Sequence, residues 1–185
     1  MALAVVAIAG PATASAQNLT WTHGGSHLGN GIHATQSFKG FLDFTLKEVP
    51  GLTKHGVFGC EVTATITAVG PSGGTVTKFD PVTNSCVGEG FFNECELVND
   101  VSTVPWTVDL KPTDIDVTNI KITNTYANCE SGVGGSVLEF GSVTITPHLE
   151  GGLIKELTVS GTSTNTLVTA TGTLGLDGAA TLGLT

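Results

Sequence analysis

The residues able to do chemistry here are a cluster of histidines, four cysteines, an acidic run and one serine in a glycine-rich turn. His23-Gly-Gly-Ser-His27, with His33 beyond, gathers three imidazoles, a set that could hold zinc or copper. Histidines four apart converge only on a helix, and the two intervening glycines oppose one. The expectation is an exposed arm, with no metal and no cofactor. Glu89, Glu94, Glu96 and Asp100 crowd the stretch after Cys86. Calcium takes several carboxylate and carbonyl oxygens on a bent loop, but the D-x-D-x-D-G series is absent. A solvated acidic loop is expected, and Asp114 with Asp116 reads as the border of a turn. Glycoside hydrolysis needs two carboxylates about 5 to 9.5 Å apart in a cleft. The sixteen acids of this chain do not sort into such a pair by position alone.

Gly70-Pro71-Ser72-Gly73-Gly74 carries the letters of a G-x-S-x-G nucleophile elbow. That elbow needs a helix directly after the serine. Thr75–Phe79 reads as a strand, so a hairpin turn is expected. Gly132–Gly135 lacks the helix and lysine of a phosphate cradle. Asn18-Leu-Thr20 is a formal glycosylation sequon, expected to be unused. No residue is assigned a catalytic role. Phe91 and Phe92 are adjacent aromatics in a stretch without strand periodicity. Together with Trp21 they would form a stacking platform for a carbohydrate or another small ligand. The competing expectation folds one ring back as a plug over the core.

The cysteines are Cys60, Cys86, Cys95 and Cys129. An even number in an exported chain suggests two disulfides, with three possible pairings. Pro71-Ser72-Gly73-Gly74 separates two β-rich runs, and folding a hairpin about it places Cys60 opposite Ser85, one step from Cys86. Lys111-Pro112-Thr113-Asp114 separates 104–110 from 115–125, and folding there places Cys95 opposite Glu130, one step from Cys129. Cys60–Cys86 and Cys95–Cys129 are the predicted bridges. A four-cysteine zinc site would want a C-x-x-C knuckle, which is absent.

The elements that carry these groups are strands. Charged residues make up 12% of the chain, with 25 glycines and a single tyrosine. A Thr/Val/Gly-rich chain poor in Lys, Glu and Arg builds strands and tight turns rather than helices. Residues 38–49 alternate, and so do 57–69, where Val62, Ala64, Ile66 and Ala68 oppose Glu61, Thr63, Thr65 and Thr67. Trp106, Val108 and Leu110 share a face. Further strands are expected at about 75–80, 136–147, 153–161, 165–175 and 179–184, with 87–103 as a long loop. The fold class is all-β: a single antiparallel β-sandwich, or alternatively a small β-barrel, with two disulfides.

Residues 1–16 read as an export signal, with an apolar run at 2–9 and Ala14-Ser15-Ala16 as the cleavage site. The missing basic residue ahead of the run suggests a signal shortened at its start. Residues 17–37 are expected to be a loop-like arm with room for one short strand around 18–22, and 38–185 the β domain. No segment is long and apolar enough for a transmembrane helix. The net charge of −9 disfavours nucleic acid, which needs clustered Lys and Arg. A membrane β-barrel fits poorly because aromatic girdles are absent.

Gly59-Cys60-Glu-Val-Thr-Ala-Thr-Ile-Thr67, Val104-Pro105-Trp106-Thr107-Val108 and Ile120–Thr125 before Cys129 carry a resemblance. They resemble exported Thr/Gly-rich β-sandwich-like proteins of high-GC Gram-positive bacteria, over roughly residues 38–150. The resemblance implies no activity, ligand or catalytic residue. The functional expectation is a secreted or cell-surface, non-enzymatic β domain, structural or adhesive. Its partner is unknown, and edge strands such as 165–175 would allow self-association. A carbohydrate-binding or small-ligand-binding sandwich is the alternative. A secreted hydrolase using Glu94, His27 and Ser72 comes third.

Overall fold

A computed structural model of the chain describes residues 18–47 and 55–185. The expected export signal and the end of the strand expected at 38–49 lie outside the described residues. The chain begins with β1 (Trp21–His23), β2 (Ser26–His27), β3 (His33–Leu46), β4 (Gly56–Val69) and β5 (Gly73–Pro81). A 3-10 turn at Thr83–Ser85 leads to β6 (Val87–Gly90), β7 (Glu96–Ser102), β8 (Trp106–Leu110) and β9 (Ile115–Ala127). The last third is a meander of β10 (Gly135–Glu150), β11 (Leu153–Thr162), β12 (Val168–Asp177) and β13 (Leu182–Leu184).

The wall runs β10-β9-β8-β5-β4-β3-β12-β11, antiparallel throughout. A ladder from Val143↔Gly161 to Glu150↔Leu153 then pairs β11 back to β10, so the sheet closes into an eight-stranded barrel. The all-β, antiparallel, two-disulfide expectation holds, and the barrel is the form it takes. Alternation of apolar and polar residues is identical in a sandwich and a barrel. What separates them is whether the outer strands meet, and here they do.

Alternation sets the two faces of the wall. Val62, Ala64, Ile66 and Ala68 of β4 point inward and are buried, joined by Phe38, Leu42, Val108, Val117 and Leu174. Threonines face outward. Thr35, Thr67, Thr75, Thr107 and Thr118 stand in register across β3, β4, β5, β8 and β9. Thr35 and Thr67 share a hydrogen bond at 3.1 Å, and Ser37 and Thr65 another at 2.9 Å. Branched hydroxyl side chains suit this position, because they fit the pleat and pair across strands. Two glycines let the strands press together where the wall coils. A methyl group on Gly40 would overlap the Thr173 carbonyl oxygen, and one on Gly172 the Phe41 carbonyl oxygen.

The N-terminal segment holds more strand than the loop-like arm expected for 17–37, although the short strand expected around 18–22 overlaps β1. β1 pairs with β13 through Trp21↔Leu184, and β3 already begins at His33. Trp21 is fully buried and its indole donates to the Gly73 carbonyl at 2.9 Å. With Leu28, Ile154, Leu182 and Leu184, it closes the barrel end that carries the β4–β5 and β10–β11 hairpins. Burial of the large indole outweighs the polar, glycine-rich composition around it. Segment 165–175, expected as an edge, is not one: β12 is laddered to β11 on one side and β3 on the other.

Candidate functional site

The far end of the barrel contains a break in its wall. The β5–β8 ladder runs from Gly73↔Asp109 to Val76↔Trp106 and stops. Beyond that point β5 continues to Pro81, then turns through Thr83–Ser85 into β6 alongside β4, from Gly56↔Gly90 to Gly59↔Val87. On the other side, Thr103–Pro105 interrupts the chain before β8. β7 occupies the same edge of β9, from Glu96↔Ala127 to Ser102↔Ile122. No backbone ladder joins β7 to β5 or β6 among the described residues. Pro81 and Pro105, one on each lip, supply a local reason, since neither offers an N–H to a ladder. Ser102 Oγ spans the seam, donating to the Phe79 carbonyl at 3.0 Å.

Each lip is stapled to the strand behind it. Cys60–Cys86 ties the lip that follows β5 to β4, and Cys95–Cys129 ties the start of β7 to the end of β9. This is the pairing that the turn positions predict. It arises by a different route for the first bridge: β6 re-pairs with β4 after the hairpin has ended, bringing Cys86 opposite Cys60. The expected long loop at 87–103 is therefore two strands, β6 and β7, joined by a turn. Their few residues carry no clean alternation because β7 holds a bulge between Leu97 and Asn99.

Beneath β7 lies a cluster of polar groups. Asp100 is in register with Asn124 on β9, and Asn124 with Ser136 on β10. Asn124 is 5% exposed, and its Nδ2 donates to the Tyr126 hydroxyl at 3.2 Å. The Tyr126 and Ser136 hydroxyls share a hydrogen bond at 3.1 Å. Asn124 Oδ1 and Asp100 Oδ2 are buried without a hydrogen-bond partner. Burial, with a smaller push from the Asp80 carboxylate, raises the Asp100 carboxyl to about 6. Burial also raises the Tyr126 hydroxyl, against the hydrogen bonds from Ser136 and Asn124. A carboxyl in this setting exchanges a proton near neutrality. Its neighbours are hydroxyls and a carboxamide, not a nucleophile with its base.

Sealing this end is an aromatic plug. Phe92 is buried, with ring centroids 5.8 Å from Phe58, 5.8 Å from Tyr126 and 5.4 Å from the half-buried Phe91. The plug expectation describes Phe92. The stacking platform of Trp21, Phe91 and Phe92 is not assembled. Trp21 is buried beside the hairpin at the end of β4, whereas Phe91 and Phe92 sit by its start at Gly56, roughly 40 Å away along the strand. Val82, Val87, Val98 and Val101 are exposed along the two lips, Val87 at 60% and Val98 at 58%.

The other singled-out residues are scattered. His23 and His27 are exposed on the β1–β2 hairpin, with His27 Nδ1 3.3 Å from Thr20 Oγ1, and His33 is exposed at the start of β3. Among the described residues no group of three His, Cys, Asp or Glu could hold a metal. Ser72 lies in an exposed turn that β5 follows, not a helix. Glu94 and Glu96 are exposed, and Glu96 accepts a hydrogen bond from Asn128 at 2.9 Å. Asp114 is held below the usual carboxylate range by hydrogen bonds from Thr113 and Thr146, which fasten the β8–β9 turn.

Sequence reasoning named Asp100 among the acids and missed Asn124, Tyr126 and Ser136. A signal was present. Ile120, Ile122, Asn124 and Tyr126 share one parity, and an Asn in an otherwise apolar inward row marks a buried polar group. Comparison with known proteins yields no match: no family model, curated protein or solved structure is significantly similar to the chain. No helix among the described residues is long and apolar enough to cross a membrane.

Proposed function

We propose that the chain is an exported, non-enzymatic domain, structural or adhesive, that makes its contacts with its outer surface at the seam end of the barrel. The observation that carries this reading is the filled interior. The cavity inside the wall is about 60 Å³ and is lined by apolar side chains such as Leu42, Phe79, Trp106, Ile122, Phe140 and Leu174. Small-molecule sites need about 300 to 1,000 Å³ and a few convergent polar groups. Eight-stranded barrels can hold one small ligand, but these side chains occupy that space.

The seam end offers what the interior lacks. Among the described residues, β6 and β7 each have one edge without a ladder, and the exposed valines flank those edges. Unpaired edges accept an extended segment from another chain. Asp80, Glu89, Glu94, Glu96 and Glu130 crowd the same end, and the whole chain carries −9. That charge favours an extended, cationic partner over a second copy of the same surface. Two disulfides suit an oxidising compartment.

The test is chemical-shift mapping with a synthetic peptide of alternating Val and Lys, beside titration with a fluorescent fatty acid. Shifts confined to 79–102 and 122–127, with no fatty-acid uptake, are expected. Stoichiometric uptake of the fatty acid, or shifts clustered at the Trp21 end, would remove the proposal. Turnover of an ester, amide or glycoside substrate abolished by Asp100→Asn would remove its non-enzymatic part.

A further inference from the structure

We infer that the boundary between β5, with the turn that follows it, and β7 is a proton-controlled seam, closed while Asp100 is neutral and loosened when Asp100 ionises. The inference rests on the geometry of the wall and does not require the partner proposed above.

Three features converge on it. First, elsewhere the wall is held by ladders, such as the fourteen-residue pairing of β3 with β4. Here no ladder crosses, and the Ser102–Phe79 hydrogen bond stands in its place. Second, neither disulfide bridges the gap. Each fixes a lip to its own supporting strand, so the lips can part without breaking a covalent bond. Third, a carboxyl sits under one lip with Oδ2 buried and unpartnered, in register with Asn124, whose Oδ1 is also buried and unpartnered. A neutral carboxyl has a proton to donate, whereas an ionised one adds a second buried, unpartnered acceptor oxygen to that of Asn124.

The charges around Asp100 all favour the neutral form or stand aside. Across the seam, β5 presents Asp80, which repels it, with Lys78 drawn off into an ion pair with Asp80 at 2.8 Å. The turn at Thr83–Ser85 carries no charge. From β9, Tyr126 is a neutral hydroxyl, and Lys121 faces outward, paired with Glu139 at 2.9 Å. On β7 itself Glu96 is exposed and bonded to Asn128. As pH rises through about 6, charge develops on a half-buried carboxyl whose Oδ2 is buried with no hydrogen-bond partner among the described residues. Admitting water between the lips is the nearest relief. It frees the β7 edge, which the already exposed Val98 and Val101 flank.

Native-state hydrogen exchange on the intact, oxidised protein tests this, comparing pH 5 with pH 8 after correction for intrinsic exchange. Protection in 96–102 should fall about tenfold or more at the higher pH relative to β3 and β12, one pKa unit being a tenfold change. In Asp100→Asn, that protection should stay at its low-pH level at both values. Asp80→Asn, at an exposed position, should move the transition to lower pH and keeps the test open should Asp100→Asn fold poorly. Protection in 96–102 that is equal at both pH values in the unaltered protein would overturn the inference. So would an unchanged pH response in both variants.

Discussion

Replacing Phe92 with alanine distinguishes a plug from a binding patch. Phe92 is 6% exposed and meets the rings of Phe58, Phe91 and Tyr126 at 5.4 to 5.8 Å. Truncating a fully buried Phe to Ala costs about 3 to 5 kcal/mol. The plug sits at a barrel end where the turn at 91–94 can settle into part of the space, so about 3 kcal/mol is the expected cost. Phe91 is only half-buried, and its edge-on contact with the Phe92 ring is worth about 1 kcal/mol when removed. The assay is urea unfolding under non-reducing conditions, followed by circular dichroism. With a slope of about 2 kcal/mol per molar urea, the midpoint should fall by about 1.5 M in Phe92→Ala and about 0.5 M in Phe91→Ala, slopes unchanged. Equal and small shifts in the two variants would refute the reasoning, since they would mean that both rings lie on the surface.

Asp100 should make stability depend on pH. Its folded-state carboxyl is raised from 3.8 to about 6, so the folded state holds the proton more tightly. The resulting stabilisation is full below about pH 4, is lost as pH rises to about 6, and stays absent above. Full burial would make this about 3 kcal/mol, and partial solvent access reduces it to about 1 to 2 kcal/mol. Asp100→Asn should therefore gain that much over the unaltered protein between pH 4 and pH 8, measured by urea unfolding at each pH. Removing either disulfide by paired Cys→Ala substitution should cost about 3 to 4 kcal/mol, since the bridges span 26 and 34 residues. Thermal unfolding with equal loss from both pairs checks the loop-length argument. Gly172→Ala should cost about 1 to 3 kcal/mol by pushing β12 off the Phe41 carbonyl oxygen of β3. A neutral result in thermal unfolding would mean that the two strands are not pressed together there.

Local pattern accounts for most of the wall. Val62 to Ala68 against Glu61 to Thr67 gives β4 its two faces from period alone, and Pro71–Gly74 and Lys111–Asp114 mark turns by residue type. Folding about those turns predicts the correct cysteine pairs, although Cys86 reaches Cys60 through β6 rather than through the hairpin itself. The misjudged segments are those whose conformation depends on distant partners. Trp21 sits among glycines and histidines, yet β13, at the other end of the chain, covers it. β6 and β7 lack alternation because β6 is short, β7 is bulged, and they are held by β4 and β9.

Period, turn chemistry and cysteine spacing are properties of neighbours along the chain, and by themselves they determined an all-β, doubly stapled molecule. Closure into a barrel, the filling of its interior, the seam and the half-burial of Asp100 beside Asn124 were decided only in three dimensions. Each depends on residues far apart in sequence meeting: Val143 with Gly161, Trp21 with Leu184, Asp100 with Asn124. Which distant strands meet is settled by total burial and the entropy of closing long loops, and neither quantity can be read from a local run of residues.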